Sequence, residues 1–215
     1  MRVAGEISLK VDGKEIRARD GMTILQAAKA SGVEIPTLCY DERLKPYGAC
    51  RLCTVEIAKR GRRRLVTSCT YPAEEGLEVE TSNERIRRIR KLILELLLPL
   101  LPPPEEDSVG GPIEVLAEKY GARRDRFKAE LTNCILCGSC VRYCAEVKKA
   151  NAVCFIGRGT ERQVAFVPEI ATNQCMACGG ECYPLCPTGK MARSVEGIED
   201  ISTLSVPISE KIKRR

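Results

Sequence analysis

The stretch that decides the fold is a pair of cysteine runs, NCILCGSCVRYC at residues 133–144 and QCMACGGECYPLCP at residues 174–187. Together they hold eight of the thirteen cysteines in a chain of 215 residues. The cysteines of the first run are separated by two, two and three residues, and those of the second by two, three and three. A hydrophobic core requires no such spacing, so these cysteines are predicted to be metal ligands.

The spacing of each run suits a cubane iron–sulfur cluster, because three close cysteines can surround three of its corners while the fourth ligand arrives from elsewhere. Two such runs are typical of a bacterial-type two-cluster ferredoxin, in which the last cysteine of each run ligates the other cluster. Pro187 fixes the turn that would deliver Cys186 as such a remote ligand. We therefore predict two 4Fe–4S clusters. The ligand sets are Cys134, Cys137, Cys140 and Cys186 for one cluster, and Cys175, Cys178, Cys182 and Cys144 for the other.

The second run has one residue more than the first between its second and third cysteines. Gly179 and Gly180 can accommodate this extra residue as a bulge, because glycine tolerates backbone conformations that other residues avoid. Paired zinc sites are the alternative for the same eight cysteines. The three-residue gaps and the Cys-Pro pair favour iron–sulfur clusters over zinc. Cys154 lies between Val153 and Phe155 and is predicted to be a small core residue.

The first eighty residues predict a β-grasp domain. Two alternating segments flank Asp12-Gly13, which is a strong hairpin signal. They are followed by TILQAAKASGV at residues 23–33, where Thr23 can cap a helix and Gly32 can end it. A hairpin followed by a helix is the opening of a β-grasp fold.

Four further cysteines predict a 2Fe–2S site in this domain. Cys39, Cys50, Cys53 and Cys69 are separated by ten, two and fifteen residues. Four thiolates on two loops suit the two irons of a 2Fe–2S cluster. Gly48 would let the backbone approach the inorganic sulfide closely. A four-cysteine zinc site is the alternative that these residues leave open.

Residues 81–130 are predicted to contain a helix and a proline-rich linker. TSNERIRRIRKLILELLL at residues 81–98 can be capped by Ser82 or Asn83, and its arginines form a basic face that either docks an acidic partner or is solvated. The predicted apolar face consists of Ile86, Ile89, Ile93, Leu96 and Leu97. PLLPPPEEDSVGG at residues 99–111 breaks the helix and is the predicted domain boundary.

The formal net charge of +6 does not require a nucleic-acid partner. A cluster held by four thiolates carries roughly −2 when oxidised, so three clusters would bring the net charge to about zero.

The chain has no histidine, which excludes His-ligated zinc, Rieske-type clusters and Cys–His nucleophiles. No signal peptide and no apolar run long enough to span a bilayer are visible, so we expect a cytoplasmic protein without a transmembrane segment. A disulfide-rich secreted protein is the alternative.

These patterns predict an α+β chain of three parts. Residues 1–80 form the β-grasp 2Fe–2S domain, and residues 81–130 form the helix and proline-rich linker. Residues 131–215 form the two-cluster 4Fe–4S ferredoxin domain. Two short strands are expected around Gly157-Arg158-Gly159, and a cover strand and tail are expected after Cys186.

The order of these parts resembles a known family, the N-terminal iron–sulfur region of the large iron–sulfur subunit of respiratory complex I. It is also similar to the small diaphorase iron–sulfur subunit of NAD-linked hydrogenases and to bifurcating oxidoreductases. The resemblance covers nearly the whole chain. One element departs from it: the family usually has His-x3-Cys-x2-Cys-x5-Cys after the helix, whereas residues 99–111 contain neither His nor Cys.

The resemblance implies a non-catalytic electron-transfer subunit of an NAD(P)-linked oxidoreductase complex. Its implied partners are a flavin- and NAD(P)-binding subunit and a catalytic subunit such as a hydrogenase or a formate dehydrogenase. No phosphate loop, flavin motif or acid–base pair is visible, so no catalytic residue is predicted. The alternatives are a zinc-stapled interaction module without redox activity and a free ferredoxin-like carrier.

Overall fold

The computed structural model describes residues 5–104 and 111–193, which form two compact units. In these ranges, unit 1 contains residues 5–40, 46–104 and 111–131, and unit 2 contains residues 41–45 and 132–193. The helix-and-linker region 81–130 thus belongs to unit 1 throughout its described part. The division between the units falls after Leu131 rather than in the proline-rich stretch, of which residues 105–110 lie outside the described residues.

Unit 1 is built on a mixed sheet. Its strands are β1 (Glu6–Val11), β2 (Lys14–Arg19), β3 (Thr54–Lys59), β4 (Arg62–Thr67) and β5 (Glu78–Glu80). The order across the sheet is β2-β1-β5-β3-β4, with β1 and β5 parallel and the other neighbouring pairs antiparallel. The sheet and the helices around it agree with the predicted α+β class and a ferredoxin-type domain.

The first hairpin and helix form as predicted. Asp12 and Gly13 join β1 to β2 with positive φ angles of 49° and 80°, the conformation that a tight two-residue hairpin turn requires. Helix α1 (Ile24–Ala30) begins with a capping box between Thr23 and Gln26, and the chain leaves it through Gly32 at a φ of 76°.

The core of unit 1 lies between α1 and the sheet. The buried side of α1 carries Ile24, Ala27 and Ala28, which pack with apolar residues of the strands such as Val55 and Ile57. The core also includes Cys53 and Cys69. Two of the four predicted ligands in this unit are therefore part of its core.

The predicted faces of helix α2 (Glu84–Leu97) are partly wrong. Asn83 provides the cap, and Ile86 is buried as expected, but Leu96 is 49% exposed. Arg90, which was predicted to lie on the basic face, is buried instead, and so is Glu95. The reason is tertiary, because these polar side chains find partners on neighbouring elements.

The element that pairs with Glu95 follows α2 in the chain. Short 3-10 turns at Leu98–Leu100 and Arg124–Arg126 flank helix α3 (Pro112–Tyr120). The buried Glu95 pairs with Arg126 of the second turn, while Arg124 donates to the carbonyl of Leu101 at 2.7 Å and to that of Leu98. The described part of region 111–131 is thereby packed onto α2.

Unit 2 combines short helices with one hairpin. Its elements are α4 (Ser139–Arg142), a π-helical turn (Tyr143–Val147), β6 (Val153–Ile156), a 3-10 turn (Gly159–Glu161), β7 (Gln163–Phe166), α5 (Pro168–Cys178), a 3-10 turn (Tyr183–Leu185) and α6 (Lys190–Arg193). The two strands predicted around residues 157–159 form the antiparallel pair β6–β7. Where a cover strand was expected, residues 190–193 are helical, and the rest of the predicted tail lies outside the described residues.

Residues 41–45, which lie between Cys39 and Cys50 in the sequence, are part of unit 2. Leu44 is buried there together with Tyr143, and the guanidinium of Arg43 lies 4.9 Å from the centre of the Tyr143 ring. The Glu146 carboxylate accepts a hydrogen bond of 3.0 Å from the backbone N–H of Lys45. Nothing in the sequence pattern indicated this role for the segment.

Candidate iron–sulfur sites

The four cysteines of the predicted 2Fe–2S site lie together in unit 1, and all four are buried. The backbone N–H of Cys50 donates to the Cys39 sulfur at 3.4 Å, and the sulfurs of Cys53 and Cys69 are 3.3 Å apart. Electrostatic repulsion from Cys39 and Cys50 also contributes to raising the pKa of Cys69, so the two pairs lie close enough to influence each other.

Within each pair, one thiol has a lowered pKa and ionises more readily to a thiolate. A hydrogen bond from the Cys39 thiol lowers the pKa of Cys50 to about 6, and one from the Cys69 thiol lowers the pKa of Cys53 to about 7. The pKa values of Cys39 and Cys69 are raised, first by those same hydrogen bonds and then by burial. Since the thiolate is the form that binds metal, the set suits a positively charged iron–sulfide core.

The loop between Cys50 and Cys53 is a tight turn held by its own backbone. Arg51 has a positive φ of 62°, and its carbonyl accepts hydrogen bonds from the N–H and the hydroxyl of Thr54 at 3.2 and 2.6 Å. Gly48 also has a positive φ, 71°, and a Cβ there would lie 3.3 Å from the Thr70 methyl group. The positive φ and the nearby Thr70 methyl group thus explain why glycine occupies position 48. The close approach of its backbone to a sulfide stays a prediction.

The first predicted 4Fe–4S set of unit 2 lines a single cavity. Cys134, Cys137, Cys140 and Cys186 all face it, together with apolar side chains that include Val164 and Met191. The cavity unites three cysteines of the first run with the last cysteine of the second run, which is the crosswise arrangement that the spacing predicted.

Hydrogen bonds to sulfur are already formed around this cavity. The backbone N–H of Leu136 donates to the Cys134 sulfur at 3.4 Å, from a residue with a positive φ of 52°. Burial acts to raise the pKa of Cys186, but hydrogen bonds from the Thr188 hydroxyl and from backbone N–H groups that include Met191 and Lys190 outweigh it, so this pKa is lowered. N–H groups aimed at sulfur stabilise bound thiolates.

The second predicted 4Fe–4S set lies at the end of helix α5 and the turn after it. Cys175 and Cys178 are in the last turns of α5, a helix that the sequence did not indicate. Cys182 follows after the bulge, and the Cys144 sulfur accepts a hydrogen bond of 3.1 Å from the N–H of Ala152. Burial first, and then neighbouring thiolates that include Cys144, raise the pKa of Cys175 to about 11 and that of Cys182 to about 12.

The glycine pair between Cys178 and Cys182 has the predicted bulge conformation. Gly179 and Gly180 have positive φ angles of 63° and 70°. A Cβ on Gly180 would overlap the Tyr183 ring, so this position admits no other residue without a shift of the ring. The extra residue of the second run is accommodated here.

The residues present fit three iron–sulfur clusters in number and type of donor. Each set has four thiols, and neutral N–H or hydroxyl donors reach sulfur in each unit. Across residues 5–104 and 111–193, no group of three or more Cys, Asp or Glu side chains could hold a lone metal ion. Cys154 lies on β6 opposite Ala165 and is only half-buried, so it is not the core residue that was expected.

Comparisons with known proteins agree with this arrangement. Residues 4–84 match the family described as the 2Fe-2S iron-sulfur cluster binding domain. A solved structure of an NAD⁺-reducing [NiFe]-hydrogenase in the H2-reduced state superposes with a TM-score of 0.65 at 30% identity, covering 75% of this chain and 75% of that chain. This chain belongs to the family of complex I large iron–sulfur subunits and NAD-linked hydrogenase iron–sulfur subunits.

Several curated members of this family are similar over most of the chain. The NADPH-Fe(3+) oxidoreductase subunit alpha of Geobacter sulfurreducens is 36% identical over 86% of this chain and 24% of its own length. The mitochondrial 78 kDa subunit of NADH-ubiquinone oxidoreductase from Candida albicans is 31% identical over 86% of this chain and 28% of its own. The NADP-reducing hydrogenase subunit HndD of Solidesulfovibrio fructosivorans is 30% identical over 94% of this chain and 38% of its own.

This member of the family thus spans about a quarter to two fifths of the length of these curated relatives. Its stretch 99–111 contains neither His nor Cys. Among the residues that the structure describes, no helix is long and apolar enough to cross a bilayer.

Proposed function

We propose that this chain relays electrons through one 2Fe–2S and two 4Fe–4S clusters within an NAD(P)-linked oxidoreductase. The observation that carries the proposal is the grouping of twelve of the thirteen cysteines into three sets of four. When bound, these clusters would supply one-electron redox chemistry. The chain's own residues hold the thiolates, orient them by backbone hydrogen bonds and exclude water by burial.

The ligand assignment follows the sequence prediction. Cys39, Cys50, Cys53 and Cys69 hold the 2Fe–2S cluster, and Cys134, Cys137, Cys140 and Cys186 hold the first 4Fe–4S cluster. Cys175, Cys178, Cys182 and Cys144 hold the second. The contacts between sulfurs in unit 1, the common cavity of the first 4Fe–4S set and the mutual influence of the second set support this assignment.

The proposed partners are a flavin- and NAD(P)-binding subunit and a catalytic oxidoreductase subunit. Relatives named as NADPH-Fe(3+) oxidoreductase and NADP-reducing hydrogenase subunits support this proposal. No catalytic residue is assigned to this chain, and a cytoplasmic location fits a hydrogenase or formate dehydrogenase complex. Co-purification with a flavoprotein and a catalytic subunit tests these partners, and coupled reduction of two acceptors by the purified complex tests electron bifurcation.

Iron and zinc stoichiometry tests the cluster content of the full chain. After anaerobic reconstitution we expect about ten irons per chain, a brown protein and a broad visible absorption that dithionite bleaches. A protein with about four irons would contradict the three-cluster assignment. A colourless protein containing stoichiometric zinc would instead identify the metal-stapled module without redox activity.

A further inference from the structure

Arg90 is a buried cation in unit 1 with only neutral partners. Its side chain is on α2 and the residue is 2% exposed. It donates to the carbonyls of Leu52 and Thr54 and to the hydroxyl of Tyr120, each at 3.0 Å. Within the part of the chain that the structure describes, no carboxylate pairs with this guanidinium.

The other buried charges of unit 1 are paired. Glu95, 1% exposed, pairs with Arg126, and Glu56, 7% exposed, pairs with Arg63 and Arg85. This is the expected pattern, because a buried charge without an opposite charge is costly. Among the residues that the structure describes, Arg90 is the exception to this pattern.

The backbone that Arg90 contacts flanks a predicted cluster ligand, Cys53. Arg90 binds the carbonyls on either side of Cys53, those of Leu52 and Thr54. The carbonyl of Cys53 itself accepts from the hydroxyl and the N–H of Ser68, at 2.8 and 3.1 Å. Three consecutive carbonyls are thus fixed, and the positive charge lies against the turn that presents the Cys53 sulfur.

We propose that Arg90 is a positioning residue of the 2Fe–2S site, whose buried charge compensates the four-thiolate cluster and raises its reduction potential. This inference rests on the proposed cluster ligands. An oxidised cluster of this kind carries roughly −2, and one added electron makes it roughly −3. A nearby fixed cation in a medium of low dielectric constant stabilises the reduced cluster more than the oxidised cluster.

The reduction potential of the 2Fe–2S cluster tests the proposal, measured in the full reconstituted chain by redox titration monitored by EPR. R90Q keeps a hydrogen-bond donor but loses the charge. We expect the equilibrium constant for one-electron reduction of its cluster to fall about tenfold, which lowers the reduction potential by about 59 mV. R90K keeps the charge, and its equilibrium constant for cluster reduction should stay within about twofold of that of the parent. R88Q removes an exposed arginine of the same helix and is the matched control, with no change expected.

The outcomes separate this inference from the function on which it rests. A parent chain without a 2Fe–2S signal would refute the proposed cluster itself. A parent with the signal and an R90Q variant of unchanged potential would overturn only the role of Arg90. If R90Q loses its cluster, R90K decides. A parental reduction potential in R90K, together with faster iron loss from R90K to a chelator, supports the proposal. A tenfold shift in the equilibrium constant for reduction of R90K contradicts it.

Discussion

At the scale of single residues, Cys53 shows how closely the fold controls a proposed ligand. Its sulfur lies 3.3 Å from that of Cys69, and the residue is 1% exposed. Ser68 and Arg90 hold the carbonyls around it. The backbone that carries this sulfur is therefore held at three consecutive carbonyls.

Replacing this sulfur should remove one cluster and leave the others. We expect C53S to lose about two irons per chain together with the 2Fe–2S EPR signal, because a neutral serine hydroxyl is a poor ligand for iron compared with a thiolate. C154S is the matched control, since Cys154 is half-buried on β6 and belongs to none of the three sets. Iron analysis and EPR of both variants check this. Retention of the full signal in C53S would refute the assignment of Cys53.

At the scale of elements, the caps connect the helices to the site. Asn83 accepts a hydrogen bond of 2.9 Å from the N–H of Ile86 at the start of α2, and its amide donates to Glu56 and Glu80 at 3.0 and 2.8 Å. The cap therefore fixes the first turn of the helix that carries Arg90. The neighbouring Ser82 is exposed and accepts only a bond of 3.2 Å from Arg87.

Removing this cap should loosen the first turn of α2. A lost cap costs about 1 kcal/mol, and the two further bonds of Asn83 add to that cost. We expect N83A to raise the amide hydrogen exchange of residues 84–90 by at least about fivefold, as measured by mass spectrometry. S82A should leave the exchange unchanged. Equal effects of the two substitutions would show that Asn83 is not the effective cap.

At the scale of the whole molecule, the two units have cores of different composition. The core of unit 1 is mainly aliphatic, with residues such as Leu9, Val11 and Ile24. The core of unit 2 is small and contains four predicted ligands, namely Cys140, Cys144, Cys175 and Cys182. Since thiols contribute little apolar surface, the stability of unit 2 is expected to depend more on the clusters that its cysteines bind.

Removal of iron should therefore affect the two units unequally. After anaerobic chelation of the reconstituted chain, we expect strands β1 and β3 of unit 1 to keep most of their amide protection. Residues 134–186 of unit 2 should lose theirs. Hydrogen exchange before and after chelation checks this expectation, with C154S treated in parallel as the control for thiol chemistry. Uniform loss in both units would contradict the assignment of a self-sufficient apolar core to unit 1.

Much of this protein could be predicted from the sequence where the cause is local. The Asp12-Gly13 turn and the Thr23 cap depend on residues a few positions apart, and the structure places both as expected. The cysteine spacings are equally local, and the ligand sets that they indicate stay a prediction. The second cysteine run was predicted as a ligand set, but its location at the end of helix α5 was not. The residues around Cys175 have no clear helical periodicity to indicate that helix.

The sequence by itself determined the hairpin and the helix caps, because each is specified by short-range backbone geometry, and from the cysteine spacings it predicted the ligand sets. Only the tertiary structure decided that Arg90 is buried and Leu96 exposed, and that residues 41–45 belong to unit 2. The physical reason is that a buried guanidinium requires acceptors such as the carbonyls of Leu52 and Thr54, far away in sequence. Periodicity along one helix contains no information about such distant partners.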